Sequence, residues 1–165
     1  MKITPDKMDA LALDWSVGQC EKRKLYLAKS KRLMTANYGE FNHRHGAPWY
    51  EPSSNWLQGG RIIEKQGIGV RRSFKDARDK WIASYCWSDQ ISVCEAGPTP
   101  LIAAMRCYVA NRLTQAGLTE VELPPDIAEA YAADLARREK YKAQQARWDK
   151  WFINQAIKQA EGELT

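Results

Sequence analysis

The clearest structural signal in the chain is the stretch GPTPLIAAMRCYVANRLTQAG, which occupies residues 97–117 of 165. Thr99 is a residue type that caps helix N-termini, and Pro100 suits the first helical position, where no backbone N–H is needed. Apolar residues then recur at helical spacing as far as Leu113, and Gly117 is placed to end the helix. The pattern predicts a core helix with a wide apolar face.

Two strand candidates precede this helix, at residues 68–74 and 81–87. In the second, aromatic and β-branched residues such as Ile82 and Tyr85 are interspersed with polar serines. The sequence DARD at residues 76–79 is the expected hairpin connection between the two strands.

The N-terminal third predicts a helix, a short strand and a long loop. The helix is expected to start at Thr4 and Pro5 and to end near residues 18–21. A strand is predicted at residues 25–28. Residues 30–48 are polar and contain several Gly, Asn and Pro breakers, so they predict a loop insertion longer than most loops in compact domains.

Residues 52–66, PSSNWLQGGRIIEKQ, allow two interpretations. In the first, one of residues 53–55 caps a helix that ends at Gly67, and the glycine pair at 59–60 marks the close approach of a backbone or a ligand. In the second, the glycine pair forms a turn and a strand begins at Arg61. We favour the helix.

The composition changes after residue 124. Residues 126–161 contain no Gly or Pro and are rich in Ala, Gln, Lys, Arg and Glu, which predicts an exposed helix about 54 Å long at 1.5 Å per residue. Trp148, Trp151 and Phe152 lie near its end, so we expect this helix to dock on a partner or on a second copy of the chain.

These patterns together predict the α+β class. We expect a small antiparallel sheet packed with helices, in an α-β-α sandwich-like arrangement, plus a long C-terminal helix. The predicted domain covers residues 1–124, with the insertion at 30–48, and residues 125–165 form a helical extension.

Composition restricts the classes of protein to which the chain can belong. Hydrophobic residues make up 44% and charged residues 27%, which are typical globular values. No apolar run is long enough for a membrane span, and early aspartates interrupt any secretory leader. The four cysteines form no C-x-x-C pair, so we expect reduced structural thiols in a cytoplasm.

The net charge of +5 is concentrated in one part of the sequence. Residues 21–80 contain fourteen Lys and Arg against six acidic residues, an excess of eight. Such a surface attracts anions over about 8 Å at physiological salt. Either a solvated basic face or an anionic partner explains this segregation.

Signals for catalysis or metal binding are weak. His43 and His45 form a His-x-His pair, but Arg44 separates them and no third ligand is adjacent, so we expect no metal site. No phosphate loop, nucleophile elbow or dinucleotide fingerprint is present. We therefore expect a protein that is not an enzyme and has no cofactor.

Ligand binding is better supported by the residue types. The helix starts at residues 53–55 and Thr99 can bind anions, arginines can bind phosphate, and aromatic rings can stack on a base. The same combination is typical of single-strand nucleic-acid binders. The candidate ligand-binding residues are Trp15, Tyr50, Ser53, Asn55, Trp56, Gln58, Arg61, Arg71, Trp81, Thr99 and Arg106.

Three blocks of this sequence resemble the NinX-like family of phage proteins. They are ALDWSV at residues 12–17, the segment from Tyr50 through WLQGG at 56–60 to IIE at 62–64, and GPTPLIAAMRCYVA at 97–110. The resemblance covers about residues 9–125 in blocks, while the segment 30–48 and the helix after residue 125 depart from it. It implies a phage accessory protein in the cytoplasm of the infected bacterial host, and a small α-β-α sandwich domain.

Phages use small accessory proteins to counter host defences, and one strategy is the capture of a nucleotide immune signal. By that analogy we expect a non-catalytic protein that sequesters a small anionic nucleotide. Two alternatives remain open: a module that inhibits a host protein through the C-terminal helix, and a nucleic-acid binder that uses residues 21–80. We expect a homo-oligomer through the C-terminal helix and no membrane partner.

Overall fold

The computed structural model describes residues 1–8, 10–35, 49–73, 81–87 and 90–162. The chain divides into two compact units, Met1–Ala128 and Glu129–Thr165. The described elements follow one another as β1 (Lys2–Ile3), a 3₁₀ turn (Pro5–Lys7), α1 (Ala10–Cys20), β2 (Leu25–Leu27), β3 (Leu33–Thr35), α2 (Trp56–Gln66), β4 (Ile68–Arg72), β5 (Trp81–Trp87), β6 (Gln90–Gly97), α3 (Pro100–Gln115), β7 (Val121–Glu122) and α4 (Pro125–Gly162).

The centre of the first unit is a three-stranded antiparallel sheet in the order β4-β5-β6. Tyr85 of β5 pairs with Ile68 of β4 on one side and with Val93 of β6 on the other. Helix α3 packs against all three strands, and α1 and α2 contact α3 in turn. The antiparallel sheet packed with helices, and with it the α+β class, is confirmed.

Helix α3 forms where the sequence predicts it. The Thr99 hydroxyl oxygen accepts a hydrogen bond from the Ile102 N–H at 3.2 Å, and Pro100 occupies the first turn. Met105 and Tyr108 are fully buried, as the apolar stripe requires. Gly117 has a φ of 68°, the left-handed conformation that ends helices and that glycine adopts without a steric cost.

The segment around α2 is a helix, so the alternative of a turn followed by a strand at Arg61 is wrong. Asn55 caps the helix by accepting a hydrogen bond from the Leu57 N–H at 2.9 Å. Gly67 ends it in the left-handed conformation. Of the glycine pair, Gly59 marks the predicted close approach of another backbone, because a β-carbon there would lie 2.3 Å from the Pro52 carbonyl oxygen.

The prediction of one helix starting at Thr4 is wrong. Residues Pro5–Lys7 form only a 3₁₀ turn, after which Met8 is extended with a ψ of 140°, and α1 begins at Ala10. The Thr4 side chain makes no capping hydrogen bond. The predicted end of this helix is confirmed at Cys20.

The predicted loop at residues 30–48 is wrong for Leu33–Thr35, which form strand β3. This strand pairs with β2, and it buries Leu33 and Thr35 on one side. A three-residue strand is too short for alternation to be recognised from sequence, which is why the polar surroundings dominated the prediction. The predicted hairpin connection at residues 76–79 lies outside the described residues.

Helix α4 runs from Pro125 to Gly162, as the composition predicts. Its later aromatic residues are between 49% and 66% exposed, with Tyr141 the most exposed of them. Among the described helices, α4 included, none combines the length and the apolar character that crossing a membrane would need.

Candidate functional site

A cleft opens in the first unit beside helix α2. The residues that line it are Glu21, Arg23, Tyr50, Leu57, Gln58, Arg61, Ile62 and Lys65. Its volume is about 200 Å³, and pockets for whole small molecules usually start at roughly 300 Å³. The cleft therefore has room for a phosphate or another small anionic group, and a larger ligand would extend beyond it.

The wall that α2 contributes follows from helical spacing. Arg61 and Ile62 each lie three or four residues from both Gln58 and Lys65, so the four residues lie along one side of the helix. Ile62 is buried and holds this side against the core, whereas Arg61 and Lys65 are exposed. Neither cation forms an ion pair with any residue that the structure describes.

The cleft carries a net positive charge. Arg23, Arg61 and Lys65 supply three cations against the single carboxylate of Glu21. The Glu21 carboxylate is already held, because it accepts a hydrogen bond from the Tyr108 hydroxyl at 2.8 Å. The two charges that remain in excess make the cleft attractive to anions.

Tyr50 is the most unusual residue of the cleft. Its side chain is only 2% exposed, and its buried hydroxyl has no hydrogen-bond partner within the described part of the chain. The Arg23 guanidinium lies over its ring, 5.3 Å from the centroid. Burial raises the pKa of Tyr50, so the hydroxyl keeps its proton and can donate a hydrogen bond to an anion. A buried polar group without a partner costs stability and calls for an explanation.

The chain segment that carries Tyr50 is fixed from several sides. The Tyr50 N–H donates to the Leu33 carbonyl oxygen at 2.9 Å. The Gln58 side chain donates to the Trp49 carbonyl oxygen and accepts from the Glu51 N–H, both at 2.8 Å. Gln58, predicted as a ligand contact, is therefore a brace between α2 and this segment, although it also lines the cleft.

Asp14 of α1 also holds the segment that follows Tyr50 in place. Its carboxylate accepts a hydrogen bond from the Ser53 N–H at 2.7 Å, and both residues are buried. Burial raises the pKa of Asp14 from 3.8 to about 7, although the hydrogen bonds from Ser53 act in the opposite direction. Ser53, predicted to bind the ligand, instead links two buried elements of the fold.

Two other predicted residues, Asn55 and Thr99, are helix caps. Each uses its side-chain oxygen on a backbone N–H of its own helix. Arg106 acts as a brace: its guanidinium donates to the Met8 carbonyl oxygen at 2.7 Å and to the Ala96 carbonyl oxygen at 2.8 Å. These three residues do not line the cleft.

The predicted tryptophans lie on three different elements. Trp15 lies on α1, Trp56 at the start of α2 is 59% exposed, and Trp81 lies on β5 beside Arg72. None of the three lines the cleft, and neither does Arg71 on β4. Of the predicted set, the structure brings Tyr50, Gln58 and Arg61 together.

Sequence reasoning missed Glu21, Arg23, Leu57, Ile62 and Lys65. The spacing of Gln58, Arg61 and Lys65 on one helical stripe was a signal that could have identified Lys65. Glu21 and Arg23 reach the cleft only because α1 ends beside it, which the local sequence does not show. His43 and His45 lie outside the described residues.

Comparison with known protein families gives a match over most of the first unit. The family model described as Bacteriophage P22, NinX matches residues 6–112, which is more than half of the chain. The match includes α1, α2 and most of α3, and therefore every residue that lines the cleft. No curated protein matches the chain.

Proposed function

Since the chain belongs to the NinX family of phage proteins, we propose that it is a phage accessory protein that captures a small phosphate-bearing nucleotide without converting it. The phosphate enters the cleft beside α2, and the nucleoside extends outside it. The biological role that we propose is counter-defence, the sequestration of a nucleotide immune signal in the cytoplasm of the infected bacterial host.

The observation that carries this proposal is Tyr50, which lines a cleft with three cations and whose buried hydroxyl has no described partner. A phosphate oxygen would accept a hydrogen bond from the hydroxyl and remove the cost of the unpaired group. Arg61 and Lys65, both exposed and without a described ion pair, would contact the other phosphate oxygens. Leu57, half exposed, offers an apolar contact for the sugar or the base.

Binding without turnover suits the chemistry of the lining residues. Among them, the only carboxylate is Glu21, and it already accepts a hydrogen bond from Tyr108. Burial raises the pKa of the nearby Cys20 thiol to about 11, so this sulfur stays protonated and is a poor nucleophile. The set contains no pairing of a base with a nucleophile.

The nucleic-acid alternative is less well supported. Single-strand binders present free aromatic faces to successive bases. Here the Arg32 guanidinium lies 4.5 Å from the Trp49 ring centroid, and that of Arg72 lies 5.8 Å from the Trp81 centroid. Each of these two rings has one face against an arginine of the same chain.

We expect a thermal-shift screen and calorimetric titration to detect a ligand among 3′,5′-cyclic AMP, 3′,5′-cyclic GMP and ADP-ribose. A ligand at 100 times its dissociation constant adds about 2.7 kcal/mol to the free energy of unfolding. Substituting Arg61→Gln together with Lys65→Gln should weaken binding by about 100-fold or more, because two charge-assisted hydrogen bonds are lost. The uncharged nucleoside adenosine should not bind.

Arg71→Gln is the matched control, because Arg71 is an exposed cation of β4 outside the cleft. It removes one charge and should leave the affinity unchanged. The bound nucleotide should be recovered intact after denaturation. Binding equally weakened by Arg71→Gln, or no binding by any of the three nucleotides, would contradict the proposal.

A further inference from the structure

Helix α4 carries a compact cluster of exposed aromatic rings. Trp151 and Phe152 make an edge-to-face contact with centroids 5.0 Å apart, and Trp148 lies 6.1 Å from the first and 6.5 Å from the second. Their exposed fractions are 52% for Trp148, 49% for Trp151 and 61% for Phe152. A cluster of large aromatic side chains with this exposure marks an interaction surface.

The residues around this cluster follow a heptad repeat. Five positions are spaced alternately four and three residues apart, as the d and a positions of a coiled coil are. They are Tyr141, Gln145, Trp148, Phe152 and Gln155. We call these five residues the α4 seam. Three of the five positions are aromatic and two are glutamines, and a seam of a and d positions is the face along which helices pair in coiled coils.

We propose that the α4 seam pairs with the seam of a second copy of this chain in an antiparallel two-stranded coiled coil. The seam is self-complementary about a two-fold axis beside residue 150. In that register Trp148 packs against Phe152 of the second copy, and Gln145 meets Gln155 of the second copy. In a two-fold dimer both copies contribute the same surface patch, so each contact occurs twice.

The polar layers fit this register. Gln145 donates its side-chain N–H to Asp149 on the same helix at 3.1 Å, which leaves its carbonyl oxygen for Gln155 of the second copy. Polar residues at core positions of a coiled coil specify register and orientation. They also argue against insertion of this face into lipid, since the apolar phase offers an amide no partner.

The aromatic area is sufficient for a dimer. Tyr141 is 66% exposed, and Trp148, Trp151 and Phe152 are about half exposed or more. With roughly 150–250 Å² for each aromatic side chain, the three aromatic residues of the seam and Trp151, which flanks the seam, expose about 500 Å² per copy. Two copies would bury up to about 1,000 Å² from these rings alone, which is the lower limit for a specific interface.

The charge of α4 gives the pairing a distinctive salt dependence. Residues 137–158 contain seven Lys and Arg but only two acidic residues. Two such segments repel each other, so added salt should strengthen the dimer by screening. Binding of this helix to an anionic lipid surface or to a nucleic acid would instead weaken as salt is added.

Sedimentation velocity on the full chain tests the pairing. We expect a dimer whose affinity rises between 50 and 500 mM salt, and the double variant Trp148→Ala, Phe152→Ala should weaken it by about 100-fold or more. Ile157→Ala is the matched control, because Ile157 is exposed and apolar but lies outside the seam. A monomer at all accessible concentrations, or equal loss of the dimer in the control, would overturn the proposal. So would a monomer that cosediments with anionic vesicles.

Disulfide trapping tests the orientation independently. Chains with Gln145→Cys should cross-link to chains with Gln155→Cys, because these positions face each other in the antiparallel register. Gln145→Cys alone should cross-link no more than the unmodified chain, which measures the background from the native cysteines. Efficient cross-linking of Gln145→Cys to itself would show a parallel pair and would overturn the antiparallel arrangement.

Discussion

Replacing Gly59 with alanine is expected to lower the free energy of unfolding by about 3 kcal/mol or more, whereas the same change at Gly60 should raise it. A β-carbon on Gly59 would lie 2.3 Å from the Pro52 carbonyl oxygen and 2.7 Å from a Leu101 methyl carbon. Neither contact is sterically possible without movement of the surrounding structure.

The backbone near Gly59 has little freedom to move. The residues on either side of Pro52 are held by hydrogen bonds: the Glu51 N–H donates to the Gln58 side chain, and the Ser53 N–H donates to Asp14. A shift of the Pro52 carbonyl would strain both. The helix propensity gained from alanine, about 1 kcal/mol, is too small to compensate.

Gly60 provides an internal control in the same helix. Its added β-carbon would have one neighbour, a Trp56 ring carbon at an ordinary contact distance of 3.6 Å. Gly60→Ala should therefore stabilise the protein by about 0.5–1 kcal/mol. Urea denaturation of the two variants beside the parent measures both effects. Effects of the same sign and similar size would show that the contact with Pro52 is not tight.

The second large effect concerns the buried carboxyl of Asp14. Asp14→Asn should raise the free energy of unfolding at pH 8 by on the order of 4 kcal/mol. The reason is that burial raises the pKa of Asp14 from 3.8 to about 7 in the folded protein. At pH 8 the parent must therefore keep an ionised carboxylate in a site that disfavours it. An asparagine oxygen can still accept the Ser53 N–H.

The pH dependence has a definite sign. Because the folded protein holds this proton more tightly than the unfolded chain, the parent should lose stability as the pH rises from about 4 to about 7. Above pH 7 this contribution should level off. The Asp14→Asn protein should lack this loss, so the two stabilities should converge towards pH 4.

Denaturation curves between pH 4.5 and 8.5 check the prediction. Glu120→Gln removes one exposed carboxylate on the surface and should keep the slope of the parent. If Asp14→Asn ran parallel to the parent and below it at every pH, the ionised carboxylate would be the form that the fold requires.

Local chemistry explains which elements the sequence could predict. The caps at Asn55 and Thr99 and the glycine at Gly67 are local features, and the structure uses each of them as expected. The prediction of a helix starting at Thr4 was wrong because a Thr-Pro pair is as suitable for the start of a single 3₁₀ turn as for the start of an α-helix. Strand β3 was not predicted because it is stabilised by pairing with β2, and its own three residues are too few to show a strand pattern.

The candidate site was predictable only in part, for a related reason. Tyr50 and Arg61 reach the cleft, but Arg106 has the same residue type as Arg61 and is used on two backbone carbonyls. Whether an arginine can bind a ligand or is already hydrogen-bonded to the backbone depends on tertiary contacts, which the residue type alone does not reveal. The tryptophans were wrongly expected in the cleft for the same reason, since stacking on a ligand requires the rings to lie at the same site and not only to be numerous.

The most direct test of the binding site is the substitution Tyr50→Phe, measured for both stability and affinity. Removing a buried hydroxyl without a described partner should leave the free energy of unfolding unchanged or raise it by about 1 kcal/mol. Calorimetric titration with 3′,5′-cyclic AMP, 3′,5′-cyclic GMP and ADP-ribose should show at least about 10-fold weaker binding of the nucleotide that the parent captures. Tyr85→Phe, a buried tyrosine of β5 outside the cleft, should bind like the parent. Unchanged affinity in Tyr50→Phe, or a loss of stability without a loss of affinity, would contradict the assignment of this cleft as the ligand site.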